Sequence, residues 1–268
     1  MVYGPPDPRL RPYVIHYCGY AEETASFTRR IEAAGLRTPL IFNFGPPVSV
    51  RTSATGGEWV RHPDGFVGGL SDSYALVEST GSQSGLEVYL TPVGTGLVTG
   101  MPMRHLRGRV VALEDLFGPL AGLVREQLLE AHGWEQRFAI VDEFLLARLT
   151  GAEPPPPSLA WALARLHGTR GAIEIGALTA ELGCSRRYLI AQFNDHVGLP
   201  PKLLARILRF EHALELADGG RFSWGEIAQR SGYYDQAHMI GDFQQFAGHS
   251  PTAYVRLKLP DGGGVIGD

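Results

Sequence analysis

The side chains that most often do chemistry in proteins are scattered along this sequence. The chain has nine histidines, and no two of them form an HxH, HxxxH or HExxH pair that would place both on one face of an element. No GxSxG motif is present, no GxGxxG follows a strand pattern, and GxxxxGK[ST] is absent. Cys18 and Cys184 are far apart and outside any CxxC pair. We therefore expect no enzyme activity, no bound metal and no cofactor.

Two short stretches instead collect side chains suited to contacts with the base edges of DNA. Arg can bind guanine O6 and N7 through two hydrogen bonds, and Ile can contact a thymine methyl group. Arg187 is the predicted base reader. Arg186 lies about 100° from Arg187 around the helix axis and is the predicted phosphate anchor. The full set of predicted DNA contacts is Ser185, Arg186, Arg187, Ile190, Ala191 and Asn194 in the first stretch, and Asp235, Gln236, Ala237, His238, Gly241, Gln244 and Gln245 in the second.

Both stretches belong to one pattern that occurs twice between residues 175 and 251. The spacing of apolar residues predicts two helices in each copy, with Ser185 and Asp235 as N-caps of the second helices. Two helices joined by a short turn that contains Gly form a helix-turn-helix unit, whose second helix enters the major groove. The matching positions of the two copies are Gly183 and Gly232, Phe193 and Phe243, Gly198 and Gly248, and Pro201 and Pro251.

The second copy and the helix before it resemble AraC-type transcriptional regulators. The resemblance covers residues 173–256, and the residues that carry it are Ile227-Ala228, Gly232, Asp235-Gln236, Phe243, Phe246, Gly248, Ser250-Pro251 and Tyr254. It implies a DNA-binding regulator of transcription, such as an activator. It also implies two helix-turn-helix units joined by one long helix, here residues 201–216. Many members have Arg or Lys where Ala191, Gly241, Gln244 and Gln245 stand, so we expect weaker base reading by the second unit.

Composition and charge divide the chain into parts. The net charge is −4, but residues 158–259 carry 11 Lys and Arg against nine Asp and Glu. The net charge changes from negative to positive at Glu153–Ser158. This run contains four prolines, which predict a semi-rigid linker. We predict a sensing or dimerisation domain at 1–152, the linker at 153–158, an all-α DNA-binding domain at 159–258 and a disordered tail at 259–268.

The first domain is predicted to be α+β. Short apolar runs separated by Gly, Ser and Pro predict an antiparallel sandwich or barrel, followed by a helix pair between residues 112 and 150. The pair either packs on the sheet or forms a dimer interface. The resemblance implies a sensing role, and the aromatic residues of the domain either enclose a small apolar ligand or fill its core. The candidate ligand contacts are Phe42, Phe44, Tyr74 and Tyr89.

The expected partners follow from these features. Double-stranded DNA is the main one, and a small-molecule effector, RNA polymerase and a second copy of the chain are further candidates. The alternative is a ligand-independent regulator whose first domain or second helix-turn-helix unit binds another protein. No apolar run approaches the ~20 residues of a membrane helix, and the first ten residues lack a signal-peptide pattern, so we expect a cytoplasmic protein.

Overall fold

The computed structural model describes residues 1–23, 28–53, 57–259 and 264–266. The strands within these residues are β1 (Val2–Gly4), β2 (Val14–Glu23), β3 (Thr28–Glu32), β4 (Thr38–Asn43), β5 (Val48–Arg51), β6 (Val60–His62), β7 (Gly65–Gly68), β8 (Ala75–Ser79), β9 (Ser82–Leu90), β10 (Val110–Ala112) and β11 (Val265–Ile266). The helices are α1 (Pro92–Thr99), α2 (Leu113–Phe117), α3 (Pro119–Glu130), α4 (Trp134–Leu149), α5 (Pro157–Gly168), α6 (Ile175–Leu182), α7 (Arg186–His196), α8 (Pro201–Asp218), α9 (Trp224–Arg230), α10 (Gln236–Ala247) and α11 (Pro251–Leu257). None of the helices in these ranges is long and apolar enough to cross a membrane.

The strands form two antiparallel sheets. One has the order β1-β2-β9-β4-β7-β10, and the other has the order β11-β3-β8-β5-β6. Val48 and Val50 of the second sheet share a small apolar core with Phe66 of the first. The two sheets therefore face each other there, which confirms the predicted antiparallel β architecture of the first domain.

The helix pair α3 and α4 covers the other face of the first sheet. Phe42 on β4 meets the ring of Phe144 on α4 edge to face, with ring centroids 6.1 Å apart. The hydroxyl of Tyr17 on β2 donates a hydrogen bond to Asp142 on α4, at 2.6 Å. The pair thus packs on its own domain. In α3 the buried residues include Val124, whereas Leu123 is 57% exposed.

Helix α8 is the centre of the helical domain. It is unbroken from Pro201 to Asp218, which confirms the predicted connecting helix. Its Phe210 ring packs edge to face against Phe243 and Phe246 on α10, at centroid distances of 4.9 and 5.5 Å. The buried residues of α8 are Pro201, Leu203, Leu204, Ala205, Ile207, Leu208, Phe210 and Ala213.

The two domains share one buried core. Ala34 and Leu70 of the first domain belong to the same apolar cluster as Phe246. The amide of Ala34 donates a hydrogen bond to the carbonyl of Phe246, at 2.8 Å. An interface with a continuous apolar core and main-chain hydrogen bonds favours one relative position of the two domains.

Two residues of the predicted disordered tail, Val265 and Ile266, also join this interface as strand β11. Val265 pairs with Ile31, so β11 adds to the edge of β3. The side chain of Val265 is completely buried, and this burial favours order over disorder. Residues 260–263 and 267–268 of the predicted tail lie outside the described residues.

The linker prediction leads to a proteolysis test. Residues 153–156 belong to no helix or strand, and α5 begins at Pro157, inside the predicted linker. We expect a broad-specificity protease to cut first near Ala152, because backbone outside regular elements is cut most easily. The two pieces should still elute together in gel filtration, because the shared core and β11 hold them. Separation of the pieces, or earlier cleavage inside α8, would contradict this arrangement.

Candidate nucleic-acid interface

The first helix-turn-helix unit consists of α6 and α7. Helix α6 ends at Gly183, whose φ of 62° is in the left-handed region that glycine adopts at low cost. The hydroxyl of Ser185 then accepts a hydrogen bond from the amide of Tyr188, at 3.2 Å, and caps α7. Leu189 and Phe193 are buried beneath the helix. The opposite side of the first turns of α7 therefore faces solvent.

The second unit, α9 and α10, repeats this construction. Ser223 and Glu226 form a reciprocal capping box at the start of α9. After the turn, the Asp235 carboxylate accepts hydrogen bonds from the amide of His238, at 2.8 Å, and from its ring, at 2.9 Å. These bonds hold the pKa of Asp235 below its ordinary value. Both predicted caps of the second helices are thus present.

Most of the predicted DNA contacts lie on exposed faces of α7 and α10. Arg186 and Arg187 are exposed and have no ion pair with any of the described residues. Their guanidinium groups are therefore available to phosphates or bases. The other exposed members of the predicted set are Ser185, Ala191, Asp235, Gln236, Ala237, His238, Gly241, Gln244 and Gln245, while Ile190 and Asn194 are half-buried.

Gln245 has other partners, although it is exposed. Its amide nitrogen donates to the carbonyl of Asp72 in the first domain, at 2.9 Å. Its amide oxygen accepts from Arg206 on α8, at 2.8 Å. Because both polar ends are engaged, we leave Gln245 out of the proposed DNA-contacting set.

Two tyrosines belong to the exposed surface of the units and were missed by the sequence reasoning. Tyr234 is 92% exposed in the turn before α10, with its ring 6.0 Å from that of His238. Tyr188 is 44% exposed on the first turn of α7. The sequence signal for Tyr234 was the pair of tyrosines after Gly232. A tight turn has little room to bury both rings, so one of them is expected to be exposed.

The four candidate ligand contacts of the first domain lie in different surroundings. Phe42 is fully buried in the core, and Phe44 packs under the guanidinium of Arg137, at 5.3 Å. Tyr89 lies against the ring of His16, at 4.4 Å. Tyr74 packs beside Gly248 at the end of α10. Three of these aromatic rings thus serve packing within their domain, and the fourth serves packing between domains.

A large cavity lies between the two domains. It has a volume of about 820 Å³, and none of the four predicted aromatic residues lines it. Arg37 on its wall has no carboxylate partner among the described residues, whereas Lys258 is paired with Asp218 at 2.6 Å. Burial raises the pKa of Glu211, another wall residue. Its apolar wall residues include Tyr13, Ile15, Leu36, Val93, Leu163, Leu204 and Leu214.

Sequence comparisons match the two domains separately. Residues 178–257 match a family model described as a helix-turn-helix domain, and residues 4–112 match a domain of unknown function, DUF6597. The F1 operon positive regulatory protein of Yersinia pestis is 30% identical over 95 residues, which is 35% of this chain and 32% of that protein. The chain thus matches about a third of the length of this relative.

Comparison with solved structures extends the likeness to both domains. ToxT from Vibrio cholerae O395 has a TM-score of 0.51 and 11% identity, with 90% of this chain and 97% of that chain covered. Wild-type ToxT from V. cholerae strain SCE256, bound to an unsaturated fatty acid, has a TM-score of 0.52 and 10% identity, with 89% and 94% covered. At such identities the likeness concerns the fold.

The cap of α10 can be tested by its pH dependence. Because the pKa of Asp235 is lowered, the cap should persist above the ordinary carboxyl pKa of 3.8 and be lost only as the pH falls through the lower value. The chemical shift of the His238 amide should follow this titration in NMR spectra. In Asp235→Asn, whose side chain caps without titrating, the acid transition should be absent. A midpoint at or above 3.8 in the native chain would contradict the observed capping geometry.

Proposed function

We propose that this chain, whose residues 178–257 form an AraC-type helix-turn-helix domain, is a sequence-specific DNA-binding regulator of transcription. The observation that carries the proposal is the repeated construction of the units. Both α7 and α10 are capped at their first turns and exposed there, and both pack on the same helix α8. Two such helices on one rigid support suit two successive major-groove contacts.

The two units have different roles in this proposal. Arg187 on α7 reads a base, and Arg186 beside it anchors the phosphate backbone. The second unit contacts DNA through Gln236 and His238, with Tyr234 at its edge. It reads bases more weakly, since no Arg or Lys lies between Asp235 and Gly248. Asp235 also adds negative charge near the DNA, which weakens the attraction of this unit to phosphates.

Activation is the favoured mode of regulation. The Yersinia relative is named a positive regulatory protein. The weak basic character of α10 suits a second function for this unit, namely contact with RNA polymerase. A second copy of the chain as partner, and the expected cytoplasmic location, remain predictions. We assign no catalytic step to the protein.

The cavity between the domains is the proposed effector site. Its volume of about 820 Å³ falls within the ~300–1,000 Å³ range of small-molecule sites. Arg37, whose guanidinium lies 5.9 Å from the centroid of the Tyr89 ring, has no carboxylate partner among the described residues. With the apolar walls, it suits an amphipathic acid whose carboxylate binds the guanidinium and whose hydrocarbon chain lies along residues such as Leu163 and Leu214. The fatty acid bound to ToxT, which has the same fold, supports this class of ligand. Because the cavity has walls from both domains, a ligand there changes the stability of their contact.

The DNA-reading roles can be tested with DNA selected from a random pool. Arg187→Ala should weaken binding by about 1–3 kcal/mol and relax the preference at one base pair. Arg186→Ala should weaken binding to all sequences alike and lower the salt slope by about one. Gln236→Ala and His238→Ala should cause smaller losses. Arg9→Ala is the matched control, because Arg9 is an exposed arginine of the first domain.

Binding to matched and mismatched DNA at two salt concentrations separates these outcomes. Unchanged affinity and preference in Arg187→Ala, together with complete loss in Gln236→Ala, would reverse the proposed roles of the units. In the alternative function, the second unit binds a protein and not DNA. Gln236→Ala would then lower transcription in vitro while leaving DNA affinity unchanged.

The effector site can be tested with oleate and oleyl alcohol, which share a hydrocarbon chain and differ in charge. Calorimetry should show that oleate binds the native chain and that Leu163→Trp, which fills the cavity, prevents binding. Arg37→Ala should lower the affinity for oleate by about tenfold or more, because a charge-assisted hydrogen bond is lost. The affinity for oleyl alcohol should not change. Equal binding of oleate to native chain and Leu163→Trp would contradict the assigned site.

A further inference from the structure

The first domain contacts both recognition helices at equivalent positions of the repeat. Asp195 and Gln245 each lie two residues after the matched phenylalanine of their copy. Asp195 on α7 forms an ion pair with Arg104, in the 3-10 turn Met103–His105 of the first domain. Gln245 on α10 donates to the carbonyl of Asp72, in the loop before β8. The helix ends are thus attached to the first domain two residues beyond Phe193 and Phe243.

The closing glycines of the two helices repeat this correspondence. A Cβ atom on Gly198, after α7, would lie 3.0 Å from the carbonyl oxygen of Met103. A Cβ atom on Gly248, after α10, would lie 3.0 Å from the ring of Tyr74. Each recognition helix therefore ends in close contact with the first domain, at a residue whose φ of 86° or 70° also favours glycine.

The two attachment points are joined to each other within the first domain. Arg107, just after the 3-10 turn, forms an ion pair with Asp72 at 2.9 Å. On the far side, Arg206 of α8 holds Gln245 at 2.8 Å and Asp242 at 2.5 Å. Polar contacts thus run from α7 across the surface of the first domain to α10 and α8.

We propose that this surface, residues 72–74 and 103–107, is a brace that fixes the spacing and relative rotation of the two recognition helices on DNA. Helix α8 already joins the units through its core. Attachments at the ends of both recognition helices, away from the α8 axis, further restrict rotation of one unit against the other. The capped first turns of α7 and α10 stay exposed while the brace is in place, so it is compatible with DNA contact.

The inference rests on the proposed function, and spacing discrimination is the property that tests it. One base pair added between the two contacted DNA segments moves the second by about 3.4 Å along and about 35° around the DNA axis. A braced protein should reject such DNA more strongly than a loosened one. The variant is the full chain with Arg104→Ala and Tyr74→Ala together, because both residues lie in the first domain and outside the DNA-contacting set. Tyr3→Ala with Arg9→Ala is the matched control, since Tyr3 and Arg9 are 61% and 71% exposed in the same domain.

The measurement is the ratio of affinities for the selected DNA and for the same DNA with one added base pair. In the brace variant this ratio should fall by about fivefold, because one exposed ion pair and one half-buried ring contact are lost. The base preferences within each segment should be kept. The control pair should keep the native ratio. Reversal of the ion pair, Arg104→Asp with Asp195→Arg, should restore discrimination relative to Arg104→Asp alone.

Three results would overturn the brace. They are a native ratio in the brace variant, an equal loss in the control pair, or no recovery in the reversed pair. Failure of the native chain to select any DNA sequence is a different result, because it would contradict the proposed function itself.

Discussion

Burial of α8 is the constraint on which the rest of the structure depends. Phe210 packs between Phe243 and Phe246 on one side, while Glu211 accepts a hydrogen bond from the amide of Leu36 in the first domain, at 2.9 Å. Each large apolar side chain buried in this way contributes about 1.5–3 kcal/mol relative to exposure. The helix therefore holds both helix-turn-helix units and the first domain at once. The cavity and the proposed brace both lie where this packing brings the two domains together.

Local backbone chemistry then decides which parts of the units face outward. Ser185 and Asp235 satisfy amides at the first turns of α7 and α10, so these turns need no tertiary partner. The last turns are closed by backbone hydrogen bonds, such as that from Gly248 to Gln244 at 3.1 Å, and they are followed by glycines that meet the first domain. Each recognition helix is thus exposed where it begins and attached where it ends. The proposed DNA contacts and the interdomain contacts therefore lie on separate parts of the same helix.

The helical domain could be predicted well from sequence because its signals are local and occur twice. Gly183, Ser185 and Asp235 have the predicted turn and cap roles, and the resemblance to AraC-type regulators is confirmed by the match over residues 178–257. The first domain was harder to predict from the sequence. The helix α1 was missed although Thr91 caps it, because Gly and β-branched residues dominate its sequence.

Other features depend on contacts between distant residues and leave little trace in local patterns. Phe42 packs against Phe144, and Tyr74 packs beside Gly248. These neighbours are distant in sequence, so the local pattern around each ring does not predict them. The pairing of Val265 and Ile266 depends on the edge of β3, more than 200 residues earlier in the chain. The cavity needs walls from both domains, so no single segment could predict it. The sequence pattern predicts Gln245 as a DNA contact. Its hydrogen-bond partners, however, lie in the first domain and on α8.

Hydroxyl-radical footprinting of DNA selected by the full chain tests the central claim most directly. Two recognition helices supported by one buried helix should protect two segments on one face of the duplex, with centres about one turn, or about 10 base pairs, apart. Selection of no sequence, or protection of a single segment, would contradict the account of two DNA-reading units on one rigid support.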